Sequence, residues 1–185
     1  MKYQKYEPKE KQDYYKIFFD FETDTSGSKH EPYLVRFETE DNEQRVFTGD
    51  YCAIDMLNNL PDKENIMLIA HNANYDCRFL LQHLSQQSSI VKSDRFLFTK
   101  CVFYRNGDTK QRINLKIKDS YKLIPMALDK FGKSFDLDIE KTITPYKIYT
   151  PDNIKNIYVP IPKAMIHIND KDKDKFIQNI DKWEC

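Results

Sequence analysis

The chain has 185 residues, enough for one domain with a sizeable core. With 40% hydrophobic residues, 14% aromatics and only 4 glycines, its profile is that of a globular protein and excludes a disordered one. The 29 basic and 29 acidic side chains cancel, so no global basic excess argues for nucleic-acid binding, although a neutral protein can still hold a basic groove beside an acidic site.

The four cysteines, Cys52, Cys77, Cys101 and Cys185, form no C-x-x-C pair, which argues against a zinc framework or a redox pair. The opening MKYQKYEPKEKQ lacks the apolar stretch of a signal peptide, and no run approaches the roughly 18 apolar residues of a membrane span. An intracellular, reducing location and no membrane partner are expected.

Residues 1–13 read as a polar leader, and 14–185 as a single domain. The aromatic and β-branched run YYKIFFDFE, from Tyr14 to Glu22, predicts a buried strand. After the turn TDTSGSKH, Tyr33, Val35 and Phe37 alternate with polar neighbours, which is strand periodicity. RVFT is a further short strand, giving an antiparallel start. Tyr51, Ile54, Leu57 and Leu60 fall at helical spacing, and Pro61 stops the helix. The apolar run IMLIA, from Ile66 to Ala70, predicts a central strand. Cys77, Leu80, Leu81 and Leu84 recur with helical period, so a helix is expected to begin near Asp76. RFLFTKCVFYRNGDTKQRINLKIKDS reads as a hairpin turned at Asn106-Gly107. Tyr121 to Lys130 reads as a helix interrupted by Pro125. Residues 141–165 are extended and carry four prolines. Asn169 or Asp170 caps a last helix with Phe176, Ile180 and Trp183 on one face. The sum is a mixed α/β domain with carboxylates at strand ends.

Those carboxylates carry the chemistry. On a strand, alternate residues share a face, so Phe19 and Phe21 can point inward while Asp20 and Glu22 point the other way together. Two such charges repel unless something positive lies between them, and a divalent cation with oxygen ligands is one solution. An exposed strand face is the plainer alternative for a lone D-x-E. Asp76 adds a third carboxylate inside HNANYD, between the apolar strand and the next helix, where sheet-based folds place function. Its plainer alternative is a helix cap. In the same loop His71 is a candidate base or nucleic-acid contact, and Asn72 a candidate loop brace or phosphate contact.

FDFET followed by HNANYD resembles the first two exonuclease motifs of family B DNA polymerases, D-x-E and N-x-x-(F/Y)-D. Asp20 and Glu22 match the first motif; Asn72, Tyr75 and Asp76 match the second. The resemblance implies a ribonuclease H-like 3′–5′ exonuclease fold, a mixed sheet with flanking helices. It is closer to the protein-primed members found in phages, linear plasmids, organelles and viruses. KDSYKLIP resembles their Ser-Leu motif, with Ser120 matching and Tyr121 in place of leucine. KTITPY resembles a later segment that would set Lys141 at the catalytic edge and Tyr146 beside the DNA. Thr23 and Phe79 fall where that subfamily contacts a single-stranded 3′ end. The resemblance spans about residues 15–150.

By this resemblance Asp20, Glu22 and Asp76 are ligands of two Mg²⁺ or Mn²⁺ ions, and Lys141 a phosphate-steadying cation. The implied partners are a single-stranded DNA 3′ end or primer-template and, in a longer parent, a terminal protein. The implied reaction is hydrolytic release of 3′-terminal nucleotides. The third exonuclease motif, Tyr-x-x-x-Asp, is not found downstream of Tyr146. The expectation is therefore a fold incomplete at its C-terminus, an N-terminal polymerase fragment with weak or no nuclease activity alone. The alternatives are a stand-alone nuclease of the same superfamily, with His167 as its final ligand, and a non-catalytic binding module.

Overall fold

The aromatic run near the N-terminus forms the strand around which the sheet is built. In the computed structural model, which describes residues 13–25, 27–92, 95–137, 165–166 and 168–183, it is β1, Tyr15–Asp24. Its residues alternate as expected: Ile17, Phe19 and Phe21 are buried, and Phe18 and Asp20 are exposed. β2 (Glu31–Thr39) and β3 (Gln44–Thr48) follow as an antiparallel meander, with Tyr33, Val35 and Phe37 on the buried face. After α1 (Cys52–Asn58) comes β4 (Asn65–Ala70), parallel to β1. α2 (Ala73–Leu81) leads to β5 (Ser85–Lys92), β6 (Arg95–Tyr104) and β7 (Arg112–Asp119). β7 returns parallel to β4. The sheet has seven strands in the order β3-β2-β1-β4-β7-β6-β5.

The core lies on one face of this sheet. Ile17, Phe19, Phe37, Ile66, Leu68, Leu115 and Ile117 pack there against Met56 and Leu57 of α1 and Cys77 and Leu80 of α2. Each fully buried side chain of this size stabilises by roughly 1.5–3 kcal/mol. The thiols of Cys52, Cys77 and Cys101 are sealed in the same layer, and burial pushes Cys52 up to about 11 and Cys101 up to about 12. The β6–β7 hairpin turns at Asn106 (φ 52°) and Gly107 (φ 75°), left-handed conformations that these two residue types adopt most readily.

Four expectations need correction. The buried face of α1 is wider than predicted: Leu57 and the following Leu60 are buried and Ile54 packs against the core, but Cys52, Ala53 and Met56 are buried too, and Tyr51 is 74% exposed. Small Cys52 and Ala53 let the helix sit close to β2 and β3, a stripe that counting only large hydrophobes overlooks. α2 starts at Ala73 and not near Asp76, because Asn72 takes the left-handed conformation (φ 63°) that opens it. Strand β5 has no counterpart in the reading from sequence; SQQSSIVK is mostly polar, as suits a strand at the sheet edge. Tyr121 to Lys130 is not one helix. Two 3-10 turns, Ser120–Lys122 and Leu128–Lys130, flank Pro125 and lead into the single-turn α3 (Phe131–Ser134). The last helix, α4 (Asp170–Trp183), is present with Phe176 buried. The leader up to residue 12 and the extended stretch 141–164 lie outside the described residues.

Candidate functional site

The three parallel strands β1, β4 and β7 end at the same side of the sheet, and crevices beyond such ends are where open α/β sheets place their chemistry. Pairing between β1 and β4 stops at Phe18↔Ile69, while β1 runs on to Asp24. This fork leaves the backbone of β1 without a β4 partner alongside Asp20 and Glu22. Asp76 fills the gap: its Oδ1 accepts the Phe21 backbone N–H at 3.2 Å. The second-motif carboxylate thus lands on the peptide between the two first-motif carboxylates.

Asp76 is only 4% exposed. Its carboxyl is pushed up to about 6, first by burial and then by the negative charge of Asp20, against the opposing pull of the Phe21 amide. Asp20 is exposed and Glu22 half-buried on the opposite side of the strand from Phe19 and Phe21. Asp76 occupies the first turn of α2, so the reading as a cap does not hold; Asn72 is the capping residue.

A second cluster sits at the ends of β4 and β7. His71 Nδ1 is 3.1 Å from Ser120 Oγ, which donates to the Ala70 carbonyl at 3.2 Å. The His71 ring meets Tyr121 and Phe131 edge-on, with centroids 5.4 and 5.7 Å away. Asp119, 2% exposed, joins both loops: its Oδ1 accepts the Asn72 N–H at 2.9 Å and the Tyr121 N–H at 3.0 Å. Lys122 Nζ stands 3.8 Å from its other oxygen.

A third group ties β1 to α2. The Tyr75 hydroxyl lies 2.6 Å from Thr23 Oγ1 and 2.8 Å from His30 Nδ1, and the Arg78 guanidinium covers its ring at 4.3 Å. Phe79 departs from its predicted place beside a DNA end. It is 5% exposed, with its ring edge-on to Phe21 and Tyr75, because it lies on the sheet-facing stripe of α2. It belongs to the core and offers no platform for a base. Lys141, Tyr146 and His167 lie outside the described residues.

The structure therefore gathers Asp20, Glu22, Thr23, Tyr75 and Asp76 around the fork, and His71, Asn72, Ser120 and Tyr121 beside it. The reading from sequence missed Asp119 and His30. Asp119 carries a recognisable signal: it continues the buried series Ile113, Leu115, Ile117, so an acidic residue stands where the period calls for an apolar one. His30, in a polar turn, carries none.

Hard oxygen donors that repel one another, with Asp76 pushed up first by burial and then by the charge of Asp20, suit a divalent cation by their chemistry. Among the described residues, no three His, Cys, Asp or Glu side chains are grouped closely enough to hold a metal ion on their own.

Comparison with known proteins gives three findings. The family model for DNA polymerase type B, organellar and viral, matches residues 58–185. A protein of Agaricus bitorquis, named as a probable DNA polymerase, is 26% identical over 109 residues, covering 58% of this chain and 13% of its own length. Among solved structures, the phi29 DNA polymerase in complex with primer-template DNA and incoming nucleotide superposes with a TM-score of 0.60 at 16% identity, over 85% of this chain and 29% of that one. The same polymerase with single-stranded DNA gives 0.57 at 18% identity, over 92% of this chain and 32% of that one. These structural likenesses are of fold, and the chain spans under a third of each relative.

Proposed function

Since this chain belongs to the organellar and viral type B DNA polymerases and has the ribonuclease H-like fold of their exonuclease region, we propose that it carries the 3′–5′ proofreading core, which hydrolyses the terminal phosphodiester of a single-stranded DNA 3′ end. The observation that carries this reading is the 3.2 Å hydrogen bond from the Phe21 amide to Asp76. It brings a carboxylate from a distant stretch of chain to the strand that bears Asp20 and Glu22.

In this reading Asp20, Glu22 and Asp76 would together hold two divalent ions, Mg²⁺ or Mn²⁺. Bound there, the ions supply positive charge for activating water and for the leaving 3′ oxygen. The chain's own residues do the rest. Glu22 faces the attacking water. Thr23 and Tyr75, hydrogen-bonded to each other, fix the terminal nucleotide against the end of β1. His71, Asn72, Ser120 and Tyr121 form the wall along which the preceding nucleotide lies. Lys141 and Tyr146 are assigned to phosphate and DNA on the resemblance alone.

Calorimetric titration of the chain with Mn²⁺ tests the assignment without requiring turnover. Saturable binding that is lost in both Asp20→Ala and Asp76→Ala is the expected result. Binding that survives both substitutions, or no binding together with no metal-dependent shortening of 5′-labelled DNA, would refute it.

A further inference from the structure

The sheet has a second face, opposite α1 and α2, that the proposed site uses only at its edge. Along β7, Arg112, Asn114, Lys116 and Lys118 point to this face, because the intervening Ile113, Leu115 and Ile117 fill the core. Lys100 of β6 stands directly across from Lys116. The register partners of Lys100, Lys116 and Lys118 on β4, β5, β6 and β7 include no Asp or Glu. The Tyr14 ring lies under the Lys116 ammonium at 5.7 Å. Tyr14, Lys100, Arg112 and Asn114 line one cleft of about 290 Å³, whose charged lining residues are all cationic. Lys116 is held below the usual lysine range by partial burial and then by the charges of Lys118 and Lys100. Like charges gathered this way favour an anion between them.

The register also places this row relative to the carboxylates. Phe18 pairs with Ile69, and Ile69 with Lys118, so the lysines share a face with Phe18, Asp20 and Glu22. β7 is two strands from β1, a lateral distance of about 10 Å at roughly 4.8 Å per strand. From Arg112 to Lys118 the row runs for roughly 20 Å at about 3.3 Å per residue.

We propose that Lys100, Arg112, Lys116 and Lys118 form a track for the sugar-phosphate backbone of single-stranded DNA, leading along β7 toward the carboxylates of β1. Alternate residues of β7 present cations at Arg112, Lys116 and Lys118, with the Asn114 amide between them and Lys100 beside Lys116, and Tyr14 and Phe18 supply aromatic surface, the combination that sequence-independent single-strand binding uses. The choice of DNA among polyanions rests on the function proposed above; the cationic track itself does not.

Fluorescence anisotropy of a labelled single-stranded oligodeoxynucleotide, in EDTA and over a series of salt concentrations, tests the track. The K100Q/K116Q/K118Q chain should bind on the order of 10- to 100-fold more weakly at low salt. The slope of log affinity against log salt should be shallower by about 2, at about 0.7 per lost phosphate contact. A charge-matched control at Arg45, Lys63 and Lys133, which lie off this row, should bind as the parent does. The single substitution K100Q, at an exposed position, should lower the slope by about 0.7 if the triple variant fails to fold. Equal loss in the control, an unchanged slope in the lysine variants, or stronger retention of a free acidic peptide than of DNA would each overturn the proposal. Because EDTA removes the metals and D20A leaves the track intact, loss of the nuclease reading and loss of the track are separately visible.

Discussion

Asp76→Asn should make the protein more stable at neutral pH while removing a ligand from the proposed site. The carboxyl of Asp76 is raised from 3.8 to about 6 by burial and by Asp20. A raised carboxyl means that the folded chain holds its proton more tightly than the unfolded chain does. The penalty for ionising it is absent below the unfolded value, grows between about pH 4 and pH 6, and is complete above that. About two units at about 1.4 kcal/mol each amount to roughly 3 kcal/mol. Asparagine keeps an oxygen for the Phe21 amide but loses one acceptor near its own backbone N–H, worth about 1 kcal/mol. The net gain is about 2 kcal/mol near pH 7.5, or a Tm rise of about 4–8 °C for a chain of this length. Thermal unfolding followed by circular dichroism in EDTA, near pH 7.5 and near pH 4, checks this. The gain should vanish at the acid end, and Asp20→Asn should shrink it at neutral pH. A variant equally destabilised at both pH values would show that the charge of Asp76 is not the dominant cost, and the reasoning would fail.

Three further outcomes follow from the same geometry. Phe79→Ala should cost about 3–5 kcal/mol, as for a buried phenylalanine, and thermal melts should show it; DNA affinity of the folded fraction should be unchanged, because the ring is spent on the core. Asp119→Ala leaves the part-buried amides of Asn72 and Tyr121 without their acceptor, a loss of about 1–3 kcal/mol by denaturant titration, and Asp119→Asn should recover part of it. Tyr75→Phe removes the hydroxyl that meets Thr23 and His30, which should cost about 1 kcal/mol of stability by the same titration and leave Mn²⁺ binding intact.

How far the sequence could be read depended on how strongly each segment was patterned. Strands such as Tyr33-Val35-Phe37 and Ile113-Leu115-Ile117 bury one face and alternate cleanly, so their position and orientation follow from composition. β5 borders the sheet and its sequence is mostly polar, so its serines and glutamines look like a loop until the neighbouring strand is in place. The start of α2 was hidden because it depends on the backbone conformation of Asn72 and not on a residue pattern. At the site, the spacing of Asp20 and Glu22 was legible because it is local. The meeting of Asp76 with the Phe21 amide was not, since it depends on where β4 stops pairing with β1. Phe79 shows the opposite failure: a motif match named it, and the phase of its own helix assigned it to the interior.

The burial of three sulfurs in the layer beneath the helices has a practical consequence. Thiols that deeply enclosed and that weakly acidic react with alkylating agents only when the layer comes apart. Cys52 lies on α1, Cys77 on α2 and Cys101 on β6. Peptide-resolved labelling at increasing denaturant would therefore time the detachment of each element from the others, with no probe added to the chain.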